Sequence, residues 1–232
     1  MILTSVFTDT GKFYALKISA DFKYKHLFLE AMRLLAFADI HGSQTTLKRV
    51  EQKIKSQKPD LLVCAGDISI FEHGIGIILR KLNGFGKKII MIHSNHEDDS
   101  TFRKYSKIFR NIIFIHKTHH IENNLLFLGF GGGGFSSTDR EFEKIAKSKF
   151  KKIIKENQDK KIILVTHAPP YGTKLDRLGK SHVGNKSFRH FIEKYNVDLA
   201  ISGHLHENFG KEDKIKNAKV INPGPFGKII EI

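Results

Sequence analysis

Five short apolar runs, each about the length of a β-strand, end at an aspartate, an asparagine or a histidine. Residues 61–65 show the pattern most clearly, because this run holds no alternating polar residue and stops at Gly66 and Asp67. Such a run is typical of a strand buried on both faces, as in the parallel sheets of α/β proteins. Ligands of open α/β sheets bind at the carboxyl ends of the strands. The sequence therefore predicts a sheet whose strand ends carry a polar site.

The polar residues at the five strand ends are all of types that bind divalent metal ions. The runs at 34–38, 61–65, 89–93, 162–165 and 199–201 lead into Asp39 and His41, Asp67, Asn95, His167, and His204 with His206. In extended backbone, residues two apart point the same way, which predicts that both members of each Asp-x-His or His-x-His pair face one site. Seven ligands exceed what one tetrahedral ion binds but suit two ions that share a carboxylate, with Asp67 as the bridge.

The charge of such a site favours a phosphate-containing substrate. Two divalent ions bring four positive charges, against which Asp39 and Asp67 supply only two negative ones. The remaining positive charge attracts a phosphate group and lowers the pKa of bound water. Asn95 is a neutral oxygen donor and preserves this Lewis acidity. Two ions about 3.5–4 Å apart are also the standard arrangement for in-line attack on phosphorus.

In their order along the chain, these residues resemble the motifs of the calcineurin-like metallophosphoesterase superfamily. The matching pieces are Asp39-Ile40-His41, Gly66-Asp67, Asn95-His96-Glu97, the lone His167 and Gly203-His204-Leu205-His206. Each piece alone is a weak signal, whereas five in the same order are a strong one. The resemblance covers residues 32–232. It implies an α/β (α+β) fold, a four-layer αββα sandwich of two mixed β-sheets flanked by helices, as in metallo-dependent phosphatases.

The same resemblance implies a role for each residue of the site. One ion would be held by Asp39, His41, Asp67 and His206, and the other by Asp67, Asn95, His167 and His204. His96 would contact the substrate phosphate and assist the leaving group, so that His96, Asp67 and Asn95 are the predicted catalytic residues. Asn95 and His96 are also predicted to bind the substrate. His182, in the loop after His167, is predicted to line the substrate pocket.

Two positions depart from the superfamily pattern. Ser94 stands where the family usually has glycine before Asn-His, which predicts an adjusted turn without loss of activity. Ile70 stands where the protein Ser/Thr phosphatases of the superfamily carry the second aspartate of Gly-Asp-x-x-Asp-Arg-Gly, which supports the catalytic histidine. Isoleucine cannot play that part, so the protein-phosphatase branch is not expected. Residues 166–173, 182–184 and 220–224 resemble small prokaryotic phosphoesterases, archaeal ones in particular.

The predicted function is the hydrolysis of phosphoesters, and of phosphodiesters in particular, by in-line attack of a hydroxide held between two metal ions. Manganese, nickel, iron and zinc all suit a ligand set of histidine, aspartate and asparagine without thiolate. The alternatives are a DNA or RNA nuclease, a phosphomonoesterase and a non-catalytic scaffold of the same fold. The scaffold is disfavoured because every ligand position is filled.

Composition limits the class of protein and its partners. The chain has 232 residues, of which 40% are hydrophobic, and a formal net charge of +15 from 39 basic and 24 acidic residues. A nucleic acid or another phosphate-rich partner explains that charge as well as a lysine-rich surface does. No apolar run approaches the roughly 18 residues of a membrane span. Cys64 is the single cysteine, and the first thirty residues hold no signal-peptide core, so we expect a cytoplasmic protein without a membrane partner.

The chain is predicted to divide at residue 31. Residues 32–232 form the metallophosphoesterase domain, and residues 1–31 form an N-terminal extension. Within the extension, 2–7 and 13–18 are predicted to pair as a β-hairpin that packs on the main domain. Residues 138–155 have the periodicity of one amphipathic helix, and its lysines are expected to form a solvated face. The stripe that packs on the core holds Phe142, Ile145, Ala146, Lys149 and Ile153, with Phe150 and Ile154 beside it. The glycines at 131–134 are expected to form a flexible loop near the site.

Overall fold

The computed structural model describes residues 31–232, together with strands β1 (Thr4–Phe7) and β2 (Phe13–Leu16) of the N-terminal segment. These two strands pair antiparallel, with Thr4 opposite Leu16. The turn expected between them lies outside the described residues. The chain divides into two compact units, Met1–Met32 and Arg33–Ile232. The packing of the hairpin on the main domain stays a prediction.

The main unit alternates strands and helices through most of its length. Its strands are β3 (Arg33–Phe37), β4 (Leu61–Cys64), β5 (Ile89–Met91), β6 (Ile112–Phe114), β7 (Thr118–Glu122), β8 (Leu125–Phe130), β9 (Lys161–Thr166), β10 (Arg177–Leu178), β11 (Ser181–His182), β12 (Leu199–Ile201), β13 (Glu212–Ile215), β14 (Ala218–Ile221) and β15 (Lys228–Glu231). Its helices are α1 (Gln44–Gln57), α2 (Ile75–Asn83), α3 (Asp99–Ser106), α4 (Arg140–Ile145), α5 (Lys151–Glu156) and α6 (Lys186–Lys194). No helix among the described residues is long and apolar enough to cross a membrane.

The strands form two large mixed sheets. The first has the order β15-β3-β4-β5-β6, and only β15 runs antiparallel to its neighbour. The second has the order β13-β14-β12-β9-β8-β7, with a parallel centre of β14, β12, β9 and β8. The parallel centres explain the unbroken apolar runs, because such strands are covered on both faces.

Each large sheet is buried on both faces. In the first sheet, Leu35 and Leu62 pack with Leu47 of α1 in one cluster. Leu34 and Val63 are also fully buried, and the alternation of a strand places them on the opposite face. That face packs against the other sheet, which has its own helix-covered cluster around α4 to α6. The predicted four-layer αββα sandwich is therefore confirmed.

The helix predicted over 138–155 is interrupted by a π-helical turn, Ala146–Phe150, between α4 and α5. By regular helical spacing Lys149 falls on the predicted stripe and Phe150 beside it. The Lys149 side chain is exposed and donates a hydrogen bond of 2.8 Å to the Lys117 carbonyl, while Phe150 is fully buried. Bonds from i to i+5 widen the turn, so the buried position moves one residue along the chain.

Candidate metal centre

The loops that follow β3 and β4 lie side by side at the carboxyl ends of these strands. The Asp39 amide donates to the Gly66 carbonyl at 3.1 Å, and the His41 amide donates to the Asp67 carbonyl at 2.9 Å. The ladder between two parallel strands therefore continues into their loops. It fixes the two aspartates and His41 next to one another.

The second sheet reaches the same place through the loops after β9 and β12. The Gly203 amide donates to the His167 carbonyl at 2.9 Å, and the His204 amide donates to Asp39 Oδ1 at 3.0 Å. A Cβ atom on Gly203 would lie 2.5 Å from Asp39 Oδ2 and 2.7 Å from Ala38 Cβ. Only glycine at this position lets the ends of the two sheets approach so closely.

Four of the predicted ligand residues have left-handed backbone, which is uncommon outside glycine. The φ angles are 58° at Asp39, 48° at His41, 52° at Asp67 and 71° at His204. The expected extended backbone of the Asp-x-His and His-x-His pairs was therefore wrong. Strained backbone of this kind concentrates at functional sites, where the surrounding structure holds it in place.

The ligand atoms form two groups, and Asp39 belongs to both. Asp39, His41 and His206 have ligand atoms within 4.8 Å of one another, and so do Asp39, Asp67 and His167. Asp67 Oδ2 lies 3.6 Å from His41 Nε2 and 3.3 Å from His167 Nε2. One oxygen of Asp67 thus faces a histidine of each group, and bridging by Asp67 stays a prediction.

His204 and His206 turn to different groups instead of facing one ion together. The centroid of the His206 ring lies 5.1 Å from that of His41, and the centroid of the His204 ring lies 5.1 Å from that of His167. This division is the one that the superfamily resemblance implies. His96 borders the first group, with its ring centroid 5.6 Å from that of His41.

Several imidazole nitrogens of the cluster lack the hydrogen bonds that buried polar atoms normally make. His167 Nδ1 lies 2.9 Å from the Ala65 carbonyl and donates to it, which turns Nε2 toward the aspartates. His167 Nε2 and His204 Nε2 are buried without a well-formed hydrogen bond. His41 Nε2 and His206 Nε2 point at each other across 3.1 Å. Divalent ions among these atoms would give each nitrogen a partner, so the residues fit a metal centre.

The pKa values of the cluster reflect burial and the mutual contacts. Burial raises the pKa of the Asp39 carboxyl to about 6 and lowers the pKa of His204 to about 4. Burial opposes the charged forms of Asp67 and His167 as well, but their contact outweighs it. The pKa of Asp67 falls to about 2 and that of His167 rises to about 9. Without a metal ion, His167 therefore carries the proton that a bound ion would displace.

A model of the calcineurin-like phosphoesterase family matches residues 32–208, which include every residue of this cluster. The chain belongs to the calcineurin-like phosphoesterase family. It is 32% identical over 202 residues to an uncharacterized protein of Methanocaldococcus jannaschii, an alignment that covers 84% of this chain and 88% of that protein.

Solved structures with the same fold include proteins of Thermus thermophilus and Danio rerio. A protein of Thermus thermophilus superposes with a TM-score of 0.71 and 15% identity, over 87% of this chain and 95% of that one. A dimetal phosphatase from Danio rerio superposes with a TM-score of 0.56 and 11% identity, over 82% of this chain and 86% of that one. At these identities the likeness shows the fold alone.

Two predicted residues of this phosphoesterase, Asn95 and His182, have no hydrogen bond to the cluster among the described residues. Asn95 is exposed in the turn after β5, and no hydrogen bond among the described residues joins it to the other ligands. His182 is held by Asp176, with Nδ1 2.6 Å from Oδ1. Asp176 is fully buried and also accepts from the Gly172 and Gly184 amides. Metal binding by Asn95 and substrate binding by His182 stay predictions.

Ser94 and Glu97 support the phosphoesterase site in a way that the sequence did not indicate. The Ser94 hydroxyl contacts Asp67 Oδ1 and lies 3.0 Å from Glu97 Oε2. Glu97 Oε1 accepts from the Ser69 amide at 2.8 Å. Glu97 therefore ties the turn after β4 to the turn after β5. The place of Glu97 in the Asn-His-Glu motif could have marked it as a residue of the site. Nothing in the sequence indicated its partner Ser69.

A third group of potential ligands lies beneath the glycine-rich loop. His93, Asp99 and His116 have ligand atoms within 4.8 Å of one another. The Gly131 amide donates to His116 Nδ1 at 2.8 Å, and Arg103 Nε lies 2.8 Å from Asp99 Oδ1. Because Asp99 is already paired with a guanidinium, we interpret this group as a polar cluster that anchors the loop.

Proposed function

We propose that this calcineurin-like phosphoesterase is a dinuclear-metal-dependent hydrolase of phosphoesters, with phosphodiesters as its preferred substrates. The observation that carries the proposal is the meeting of carboxylates and imidazole nitrogens from the two sheets, several of those nitrogens without a well-formed hydrogen bond, at one point. The dimetal phosphatase among the structures of the same fold supports it. Ile70, in place of a second acid, argues against a protein-phosphatase activity.

The protein's own residues prepare the site for two ions. The charged form of Asp67 is favoured by the His167 contact, so a carboxylate stands ready between the two groups. Burial lowers the pKa of His41 and of His204, which keeps both imidazoles neutral and able to donate a lone pair. Two divalent ions, when bound, would lower the pKa of water and polarise the phosphoryl oxygens.

His96 is the residue we assign to the leaving group. It is half-buried at the edge of the cluster, beside His41, and its backbone amide lies 3.2 Å from the Ser94 hydroxyl. A protonated imidazole at this edge would donate to the departing ester oxygen, the step that a general acid accelerates. The donor set suits Mn, Fe, Zn and Ni alike.

A metal-by-substrate panel tests the proposal. The metal-free protein is loaded with Mn²⁺, Ni²⁺, Fe²⁺ or Zn²⁺ and assayed with an aryl phosphodiester, the matching monoester and single-stranded DNA. We expect hydrolysis that depends on the metal and is faster for the diester than for the monoester. No hydrolysis of any member of the panel would favour the non-catalytic scaffold, and faster hydrolysis of the monoester would contradict the diester preference.

The net charge of +15 favours one second candidate, a nuclease. A basic chain attracts polyanions whatever its catalytic function, so charge alone does not assign nucleic acid as the substrate. Hydrolysis of single-stranded DNA in the panel at a rate above that of the small diester would favour the nuclease.

A further inference from the structure

Two exposed phenylalanines border the metal centre. Phe71 is 74% exposed, and its ring centroid lies 4.7 Å from that of His96. Phe135 is 66% exposed, and its ring centroid lies 4.7 Å from that of His204. We call Phe71 and Phe135 the aromatic rim. Each ring has one side on a histidine of the site and most of its surface in water.

Phe71 is held in a backbone conformation that a bulky residue rarely adopts. Its φ is 45°, and that of the next residue, Glu72, is 63°. For a bulky side chain, a positive φ is a genuine outlier and has a free-energy cost. The flanking contacts hold it there: Glu97 binds the Ser69 amide at 2.8 Å, and Glu72 Oε1 accepts from the Asp98 amide at 2.9 Å. The loop thus fixes the Phe71 ring over His96.

Phe135 ends the glycine-rich loop and is anchored on its carboxyl side. A Cβ atom on Gly134 would lie 4.0 Å from His204 Cε1, so the loop passes directly over that histidine. The Ser136 carbonyl accepts from Asn185 Nδ2 at 3.1 Å. The Phe135 ring is therefore placed at the site by contacts of its neighbours, since it has little burial of its own.

The stability of the fold does not account for the aromatic rim. A phenyl ring left in water forgoes the free energy that its burial would supply, and Phe71 bears backbone strain in addition. An exposed aromatic face beside a phosphate-binding centre is suited to stacking on a planar group, as aromatic side chains do with bases.

We propose that the aromatic rim is a binding subsite for a planar aromatic group, such as a nucleobase, carried on an ester arm of the phosphodiester substrate. The inference rests on the proposed phosphoesterase function. Phe71 lies on His96, the residue assigned to the leaving group, so the Phe71 ring would contact the ester group that departs. Phe135 lies on His204, so the Phe135 ring would contact the other ester group. The substrate class is then a nucleotide diester, either a small molecule or a nucleic acid strand.

Calorimetric titration of the Mn²⁺-loaded protein measures binding at the subsite directly. Adenosine 5′-monophosphate, ribose 5-phosphate and inorganic phosphate are compared, since ribose 5-phosphate carries a hydroxyl at C1 in place of the base. We expect the nucleotide to bind about tenfold more tightly than the sugar phosphate in the parent protein. In the double variant F71A/F135A the nucleotide and the sugar phosphate should bind with equal affinity, and the affinity for inorganic phosphate should be unchanged. Phe226→Ala is the matched control, because Phe226 is 45% exposed but packs under Arg49.

Equal affinities for the nucleotide and the sugar phosphate in the parent protein would overturn the subsite. A tenfold preference that survives in F71A/F135A would do so as well. If inorganic phosphate does not bind and no diester is hydrolysed, the proposed function itself fails. A dinucleotide and a longer oligothymidylate are added to the titration to distinguish a small nucleotide diester from a nucleic acid strand. Affinity that rises with the length of the oligonucleotide indicates a nucleic acid strand.

Discussion

The left-handed backbone of four predicted metal ligands has a free-energy cost that the rest of the fold must offset. Each such residue costs on the order of 1 kcal/mol or more, and four of them converge on one point. The offset comes from hydrogen bonds between neighbouring loops, such as that from the His41 amide to the Asp67 carbonyl at 2.9 Å. The ligands are thus positioned by the backbone before any ion binds.

The His96→Ala variant separates catalysis from metal binding. His96 borders the cluster without belonging to either ligand group, so its removal should leave both ions bound. Loss of a general acid lowers turnover by about 10²- to 10⁴-fold. Metal content and kcat on an aryl diester measure the two effects. His190, exposed on α6, supplies the control His190→Ala, and full activity in the His96 variant would remove His96 from the mechanism.

The sequence was sufficient to identify most residues of the cluster but not their conformations. A histidine or aspartate after an apolar run is visible in the sequence, and five of the seven predicted ligands have ligand atoms in the two groups, with His204 beside the second group. Their left-handed backbone depends on hydrogen bonds to distant loops, so no local pattern indicates it. For the same reason the divergence of His204 and His206 contradicts the simple rule for residues two apart.

At the scale of elements, the site depends on a carboxylate that joins two turns. Glu97 accepts hydrogen bonds from the amide and hydroxyl of Ser69 and from the amide and hydroxyl of Ser94. Burial raises its pKa, against the lowering effect of the bonds that it accepts. The turns after β4 and β5, which hold Asp67 and His96, therefore keep their relative positions through one side chain.

The Glu97→Gln variant tests this connection. Glutamine replaces one acceptor oxygen by an NH₂ group, which leaves buried donors facing each other. We expect a loss of about 1–3 kcal/mol in the free energy of unfolding, measured by urea denaturation of the metal-free protein. Glu207→Gln is the control, since Glu207 is exposed. An unchanged midpoint in the Glu97 variant would show that the connection contributes nothing to stability.

Strand positions were predictable because parallel strands buried on both faces read as unbroken apolar runs. The helical stretch from α4 to α5 was predictable only in outline. Its π-helical turn moves the buried position from Lys149 to Phe150, and such a turn depends on packing against α6 and the sheet. A prediction from sequence periodicity assumes a regular helix, so it cannot show this change in the buried position.

At the scale of the whole molecule, the charge of +15 makes an electrostatic prediction. Binding of a single-stranded oligonucleotide should weaken by about tenfold or more between 50 and 200 mM salt, as expected when a few phosphate contacts release counterions. Fluorescence anisotropy with a labelled oligonucleotide measures the dependence. No binding even at the lower salt concentration would end the nuclease alternative.

Loops of the two sheets together form the candidate metal centre, so its metal stoichiometry tests the proposed dinuclear site most directly. Metal-free protein is titrated with Mn²⁺, and the bound metal is counted by elemental analysis. We predict two ions per chain, loss of metal binding and turnover in Asp67→Ala, and no change in Asp159→Ala, whose carboxylate is exposed. A single ion per chain, or two ions still bound by Asp67→Ala, would contradict a centre bridged by Asp67.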